Sequence, residues 1–376
     1  MNFNNYMPVR VITQEHCVLK FKYHELGRRA FIMCGKSGAK KSGALSDLTA
    51  ALREQSVDYI LYDEVSPNPH VDKCFEAGEM AREFETDFII GVGGGSAMDA
   101  AKAAAVFAAN EHLEAMELFT RNIKKSLPFI LIGTTAGTGS EVTPYTVLNI
   151  TDDEGNQRKK SFKNPIIFAR AALCDPKYTM SLDWETTRNT ALDTICHGVE
   201  ALFSGSAARF DMLYGINAVK TAYAAIKTAH WQKVFENKEI SFETREQLMY
   251  ASILGGMAIN GTGTCFPHLL GYSLTTRKCV PHGKATACFL GEFIKRMSPG
   301  AKPRAELLES ALGEDGIDAF LNGIENLAGE FPRLFVDELN EFTAATENMP
   351  ALTAGVVPIT VQDVKEIYKK TLTNLV

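Results

Sequence analysis

The sequence predicts an α/β N-terminal domain with a parallel sheet, plus an all-α C-terminal domain. Short apolar runs in the first half end at glycine or turn residues, and helix-like stretches separate them. Strands bounded by Gly and alternating with helices read as βαβ units and a parallel sheet. Their hydrophobicity is continuous rather than alternating, which fits strands covered on both faces. After about Pro176 the strand-like runs stop and long helical patterns take over.

In chain order, the predicted strands are Arg29–Cys34, ending at Gly35, and Asp58–Tyr62, ending in the turn-rich Ser66–Pro69. Asp87–Val92 follows and runs into Gly93, then Pro128–Ile132, ending at Gly133. Helices are predicted at Ala44–Glu54, Val71–Phe84 and Ala97–Asn110. The domain boundary falls near Asp175-Pro176, ahead of Ser181-Leu-Asp183, which carries a helix start signal. Residues 1–176 therefore form the α/β domain and 177–376 the helical domain. In the latter, helices are predicted at Trp184–Ser204, Ala207–His230, Phe242–Asn260, Pro303–Leu312, Ile317–Leu327 and Val361–Leu375.

Composition excludes several classes. The 376 residues are 45% hydrophobic and 22% charged, ordinary for a folded protein and unlike a disordered one. The net charge of −6 leaves no basic stripe, which argues against nucleic acid as a partner. Eight Cys form no CxxC pair and no cluster, so neither a zinc ribbon nor a disulfide framework is predicted. The first twenty or so residues lack a signal-peptide pattern. No apolar run is long enough to span a membrane. The expectation is a reduced, soluble, cytoplasmic protein with no membrane partner.

Gly91–Lys102 follows a predicted strand and opens a helix. Its three consecutive glycines let the backbone approach a ligand without Cβ clashes. The free N–H groups of the helix N-terminus then face an anion, aided by the helix dipole. Ser96 adds a hydroxyl, and Asp99 and Lys102 lie one and two turns in. The pattern is neither GxGxxG nor GxxxxGK[ST], and a tight turn without ligand is the plainer alternative. A second loop, Gly133–Glu141, has four hydroxyls and three glycines in nine residues. It follows a strand of the same sheet, and ligands of open α/β sheets sit beyond the carboxyl ends of the strands. Two such loops suggest one dinucleotide held by both, making residues 1–176 a dinucleotide-binding domain.

Asp193 and His197 stand four residues apart in a predicted helix, so both face one way. His268 and His282 follow, each flanked by apolar residues and near glycine, His282 at a helix entry after Pro281. One carboxylate with three imidazoles suits Zn²⁺ or Fe²⁺. A buried neutral histidine bonded to a carbonyl is the alternative for each.

Taken together, GGGSAMDAAK at 93–102, TTAGTGSEVT at 134–143, LDTICHGVEAL at 192–202 and FPHLLGY…VPHGKA at 266–285 resemble the iron-containing (group III) alcohol dehydrogenases. The resemblance runs over nearly the whole chain. It implies a Rossmann-like N-terminal domain, a helical metal-binding domain, and a metal in the cleft between them held by Asp193, His197, His268 and His282. For the dinucleotide it implies Gly94, Gly95, Ser96 and Asp99 at the pyrophosphate, and Thr134, Thr135 and Thr138 from the second loop. It also implies Asn68 near the adenosine, Val147 near the nicotinamide, and a lysine that spacing assigns to Lys159, with Lys160 as the alternative. Members are commonly dimers or larger, so a homo-oligomer is expected.

The chain departs from the family pattern at two positions. NAD-preferring members carry an Asp just after the first strand; here Gly35 stands there, with Lys36, Ser37, Lys40 and Lys41 following. Gly leaves room for a 2′-phosphate that Asp would repel, and Ser37 or Lys40 could bind it. NADP is therefore expected over NAD. Where many members have a second His four residues beyond the third ligand, this chain has Tyr272, which joins His268 and His282 as a candidate catalytic residue.

The expected activity is hydride transfer between NAD(P)(H) and a small alcohol or aldehyde, with Fe²⁺ or Zn²⁺ as Lewis acid. The alternatives are a polyol dehydrogenase or a metal- and nicotinamide-dependent lyase of the same architecture, or a non-catalytic dinucleotide-binding protein. A dehydroquinate synthase needs several basic groups for its phosphate-bearing substrate, and Asp193–Leu202 offers no Lys or Arg.

Overall fold

The computed structural model describes residues 5–152, 155 and 157–372; the end of the last predicted helix, 373–375, lies outside them. The chain divides into two compact units. One is Tyr6–Leu182 with Ile240–Met249, the other Asp183–Glu239 with the chain from Tyr250 on.

In the first unit the strands are β1 (Arg10–Ile12), β2 (Arg29–Cys34), β3 (Asp58–Tyr62), β4 (Phe88–Gly93), β5 (Phe129–Gly133), β6 (Tyr145–Thr151), β7 (Gln157–Lys163) and β8 (Ala171–Leu173). Six of them make one sheet in the order β1-β8-β5-β4-β2-β3, and every pairing is parallel. β4 and β5 are buried along their whole length, as their unbroken apolar sequences require. Helix Ala44–Glu54 lays Leu45, Leu48 and Leu52 against Ile32, Ile90 and Ile132 of the sheet in one apolar cluster. The order also fixes where a ligand belongs. From β2 the chain steps outward to β3, then returns to place β4 on the other side of β2. The strand order reverses there, so a crevice opens beyond the carboxyl ends of β2 and β4.

β1 and β8 have three residues each and show no periodicity to read. β6 and β7 form a separate antiparallel hairpin. The sequence of β7, QRKKSFK, reads as polar because only Phe162 is buried. The start of helix Phe242–Thr262 belongs to the first unit, outside the run to residue 176 expected from sequence. Its Arg245 is buried there and donates to the Leu182 carbonyl at 2.9 Å.

The second unit is helical. Asp183 caps helix Trp184–Phe203, its carboxylate accepting from the Thr186 amide at 2.7 Å. Helices Phe266–Lys278, His282–Ala287, Leu290–Met297 and Val336–Ala344 add to the six expected from sequence. Among the described residues no helix is long and apolar enough to cross a membrane.

Helices Trp184–Phe203 and Arg209–His230 meet backbone to backbone at Gly198 and Gly215. A Cβ on Gly198 would lie 2.5 Å from the Gly215 carbonyl oxygen and 2.7 Å from Val219 Cγ2. Gly198→Ala must push the helices apart, at about 1–3 kcal/mol. Thermal unfolding checks this, and a melting temperature unchanged from wild type would refute the close contact.

Candidate functional site

Helix Trp184–Phe203 presents Asp193, His197 and Glu200 on one stripe, at i, i+4 and i+7. Helix Phe266–Lys278 brings His268, and helix His282–Ala287 brings His282 at its first residue. All three imidazoles turn Nε2 toward one atom, Asp193 Oδ1: His268 at 3.4 Å, His282 at 3.7 Å and His197 at 3.8 Å. Ligand atoms of Asp193, His268 and His282 lie within 4.8 Å of one another, the spacing of groups that share an ion. The His197 ring stacks on His268 with centroids 4.7 Å apart.

Close backbone approach makes this convergence possible. A Cβ on Gly283 would sit 1.9 Å from the Asn189 carbonyl oxygen, so only glycine lets His282 reach Asp193. Asp193, His197 and His268 are buried, whereas the His282 side chain is 30% exposed and forms the open side of the cluster. Tyr272 lies parallel to the His282 ring, 18° between planes and 5.8 Å between centroids.

Burial raises the affinity of the Asp193 carboxyl for its proton, but His197, His282 and His268 outweigh it and hold the group well below the usual carboxylate range. Burial disfavours a charged His268, yet Glu200 and Asp193 reverse this and push it up to about 10. Asp193 Oδ1 and His268 Nε2 are both buried without a hydrogen bond. Such atoms are costly unless something pairs them. One acidic oxygen and imidazole nitrogens around a shared point make the donor set of a divalent cation of the Zn²⁺ or Fe²⁺ kind. Glu200 was not among the residues singled out from sequence. The helical spacing Asp193-x₃-His197-x₂-Glu200 was the available signal.

In the first unit, the loop after β4 and the loop after β5 touch. Gly93 takes φ 152°, a conformation favouring glycine, and its carbonyl accepts from the Thr134 amide at 2.9 Å. A Cβ on Gly94 would meet Thr135 Oγ1 at 3.0 Å, and one on Gly95 would meet Thr138 Cγ2 at 2.8 Å. Helix Gly95–Ala108 starts there and aims its first amides beyond the sheet edge. Asn68, at φ 53°, donates its amide to Ser96 Oγ at 3.2 Å, so the loop after β3 joins the same edge.

Asp99 does not present its carboxylate to this edge unengaged. Oδ1 accepts from Ser140 Oγ at 2.6 Å and Oδ2 from the Val147 amide at 2.8 Å. Lys102, fully buried, donates to Ser140 Oγ at 2.7 Å and the Tyr145 carbonyl at 2.6 Å, and faces Asp99 at 3.7 Å. This network ties the glycine loop, the threonine loop and the hairpin together.

Lys159 and Lys160 part company on β7. Lys160 sits over the Phe119 ring, 5.2 Å from its centroid. Lys159 pairs with Asn149 and, by alternation, shares the face of Val147.

After β2, Gly35 is half-buried, with Ser37 and Lys40 exposed on the turn into the short helix Gly38–Lys41. Lys40 Nζ donates to Asp63 Oδ2 at 2.5 Å. The basic group is thereby tethered at the mouth of the crevice, though a carboxylate already shares its charge.

Family models match both parts of the chain. "Iron-containing alcohol dehydrogenase" covers residues 8–176, and "Fe-containing alcohol dehydrogenase family, C-terminal" covers 187–372. A sulfoacetaldehyde reductase of Bilophila wadsworthia is 31% identical over 324 residues, 85% of this chain and 80% of that protein. A long-chain-alcohol dehydrogenase of Geobacillus thermodenitrificans is 31% identical over 304 residues, 80% and 74% of the two chains. The crystal structure of an iron-containing alcohol dehydrogenase from Thermotoga maritima superposes with a TM-score of 0.88 at 34% identity, covering 99% of each chain.

Lys102 yields a pH prediction. Desolvation lowers its pKa to about 8, against the opposing pull of Asp99 and Glu141, whereas an unfolded lysine titrates near ~10.4. Between these values the unfolded chain binds more protons, so the contribution of this group to stability rises with pH from about 8 to ~10.4. Lys102→Met should remove that rise. Urea midpoints of wild type and variant, measured across this range, should diverge in favour of wild type; a constant difference would refute the assignment.

Proposed function

The chain belongs to the family of iron-containing alcohol dehydrogenases and is an NAD(P)-linked, metal-dependent oxidoreductase of alcohols or aldehydes, and from this we propose how its residues divide the work. Asp193, His197, His268 and His282 hold the cation. The observation that carries this is the single Asp193 oxygen facing three imidazole nitrogens at 3.4–3.8 Å, with unsatisfied buried atoms among them. When bound, the cation supplies Lewis acidity toward a substrate oxygen and the nicotinamide supplies or accepts hydride. His282, the most exposed of the four, marks the side from which substrate enters. Tyr272, parallel to His282, fixes that ring and gives the substrate carbon chain an apolar wall.

The dinucleotide pyrophosphate rests on Gly94, Gly95 and Ser96 at the helix N-terminus, with Thr134, Thr135 and Thr138 closing over it. Asn68 lies toward the adenosine. Asp99 acts through Ser140 and the Val147 amide, holding Val147 for the nicotinamide. Lys159, on the Val147 face, is the lysine of the pair that serves the cofactor. Preference is for NADP: Gly35 places no carboxylate against a 2′-phosphate, Ser37 offers it a hydroxyl, and Lys40 binds it by sharing the ammonium now paired with Asp63. The substrate is a small alcohol or aldehyde, and Fe²⁺ and Zn²⁺ both suit the donor set. We assign the working protein to the cytoplasm as a homo-oligomer, after its family.

His282→Ala should fold, since that side chain is partly exposed, and lose metal and turnover together. The expected drop in kcat/KM is on the order of a thousandfold or more, the several kcal/mol that a Lewis-acid ion contributes. Metal content and the reduced-nicotinamide absorbance with short aldehydes measure both; a metal-free variant with full activity would sink the assignment. For the cofactor, kcat/KM should be higher with NADPH than with NADH. Lys40→Ala should narrow that ratio by roughly tenfold, the loss of one hydrogen bond to a charged group. A wild-type preference for NADH overturns this part.

A further inference from the structure

We infer that Glu200 is a positioning residue for the metal site: it fixes the tautomer and angle of His268, so that Nε2 keeps its lone pair for the cation. The inference rests on the assignment of His268 as a ligand.

Glu200 is wholly buried, and each of its oxygens has a separate task. Oε1 accepts a hydrogen bond from His268 Nδ1 at 2.5 Å. Oε2 accepts from the Cys265 amide at 2.6 Å, immediately ahead of helix Phe266–Lys278, which carries His268. A carboxylate is acceptor-only, so it can satisfy both donors at once and tolerates no other tautomer of His268. In the neutral ring that a cation requires, a proton kept on Nδ1 leaves the Nε2 lone pair free, and Nε2 already faces Asp193 Oδ1 at 3.4 Å. Helix Trp184–Phe203 thus presents two proposed ligands, Asp193 and His197, and one turn further on the group that aims a third from another helix. The contact reaches across 68 residues of sequence. Carboxylates that accept from the distal N–H of a ligating imidazole raise its basicity and hold its plane, and their loss typically weakens metal binding 10–100-fold.

Glu200→Gln separates this role from simple packing. Glutamine has the same shape but only one acceptor. If its oxygen stays on the Cys265 amide, its NH₂ faces Nδ1 and drives the His268 proton to Nε2, where it blocks the cation. If its oxygen turns to His268, the NH₂ opposes the Cys265 N–H and the helix start loses its partner. Metal affinity suffers in the first arrangement and apoprotein stability in the second.

The test uses the full chain, stripped by chelator and titrated with Zn²⁺ against a chromophoric competitor at fixed pH, alongside thermal unfolding with and without Zn²⁺. The dissociation constant for Glu200→Gln should rise about 10–100-fold, with a smaller rise for Glu200→Asp, which keeps both oxygens. The melting-temperature gain on adding Zn²⁺ should shrink in the same order. Zn²⁺ affinity for Glu200→Gln within about twofold of wild type overturns the inference, even if stability falls equally with and without metal. Should Glu200→Gln fail to fold, Glu200→Asp is read alone, and unchanged affinity there overturns it equally. Failure of the underlying ligand assignment reads differently: wild type itself then binds no Zn²⁺, or His282→Ala binds it as tightly as wild type.

Discussion

The second unit is organised around an unresolved charge. Asp193 is buried, acidic, and surrounded by imidazoles that all point nitrogen lone pairs or protons at one of its oxygens. Desolvating a carboxylate is costly unless it is paired. In the protein without a cation, His197, His282 and His268 hold the Asp193 carboxyl low, and Glu200 and Asp193 push His268 up. A divalent ion does the same work with the imidazoles neutral, so metal and protons compete for one set of atoms.

The dinucleotide side of the first unit obeys a different constraint. Loops that approach a polyanion must be short of side chains, and loops short of side chains have little to hold them in place. Lys102 and Asp99 resolve this from beneath. The lysine spends its donors on Ser140 and the Tyr145 carbonyl, and the aspartate spends its acceptors on Ser140 and the Val147 amide. The glycine loop, the threonine loop and the hairpin are thereby fastened to one helix without a side chain intruding where a pyrophosphate would lie. The cost is a buried lysine whose charge is disfavoured by desolvation.

Much of this was legible in the sequence, and what was missed shares a physical cause. Continuous apolar runs ending in glycine marked β2, β4 and β5 within a residue or so, because burial on both faces leaves that mark, while the half-exposed edge strand β3 was marked by its short apolar run and the turn residues after it. Helices Ala44–Glu54 and Trp184–Phe203 followed from periodicity and from the Asp183 cap. β1 and β8 are too short to carry a period, and β7 reads as a charged loop because its partner is a single strand. Ile240–Met249 joins the first unit, and its Arg245 reaches the Leu182 carbonyl, a contact across the chain that no local pattern announces. Spacing favoured Lys159 with Lys160 as the alternative, and the strand register puts the two on opposite faces of β7. Lys40 read as a group for phosphate, but its pairing with Asp63, 23 residues on, could not be seen.

The metal-site residues show the same division between what a residue is and where it is held. Histidine and aspartate suit a cation by type, and with the family resemblance four candidates could be named without coordinates. Their convergence is decided by less conspicuous residues. His282 meets Asp193 only because its neighbour Gly283 has no Cβ where the Asn189 carbonyl lies. His268 points Nε2 toward Asp193 with Nδ1 bonded to Glu200, and Glu200 is available because helical spacing puts it one turn beyond His197. The informative unit in this sequence is therefore the ligand with its support, His282 with Gly283 and His268 with Glu200. A chain that kept the four candidate residues but lost Gly283 would carry the motif without this approach of His282 to Asp193.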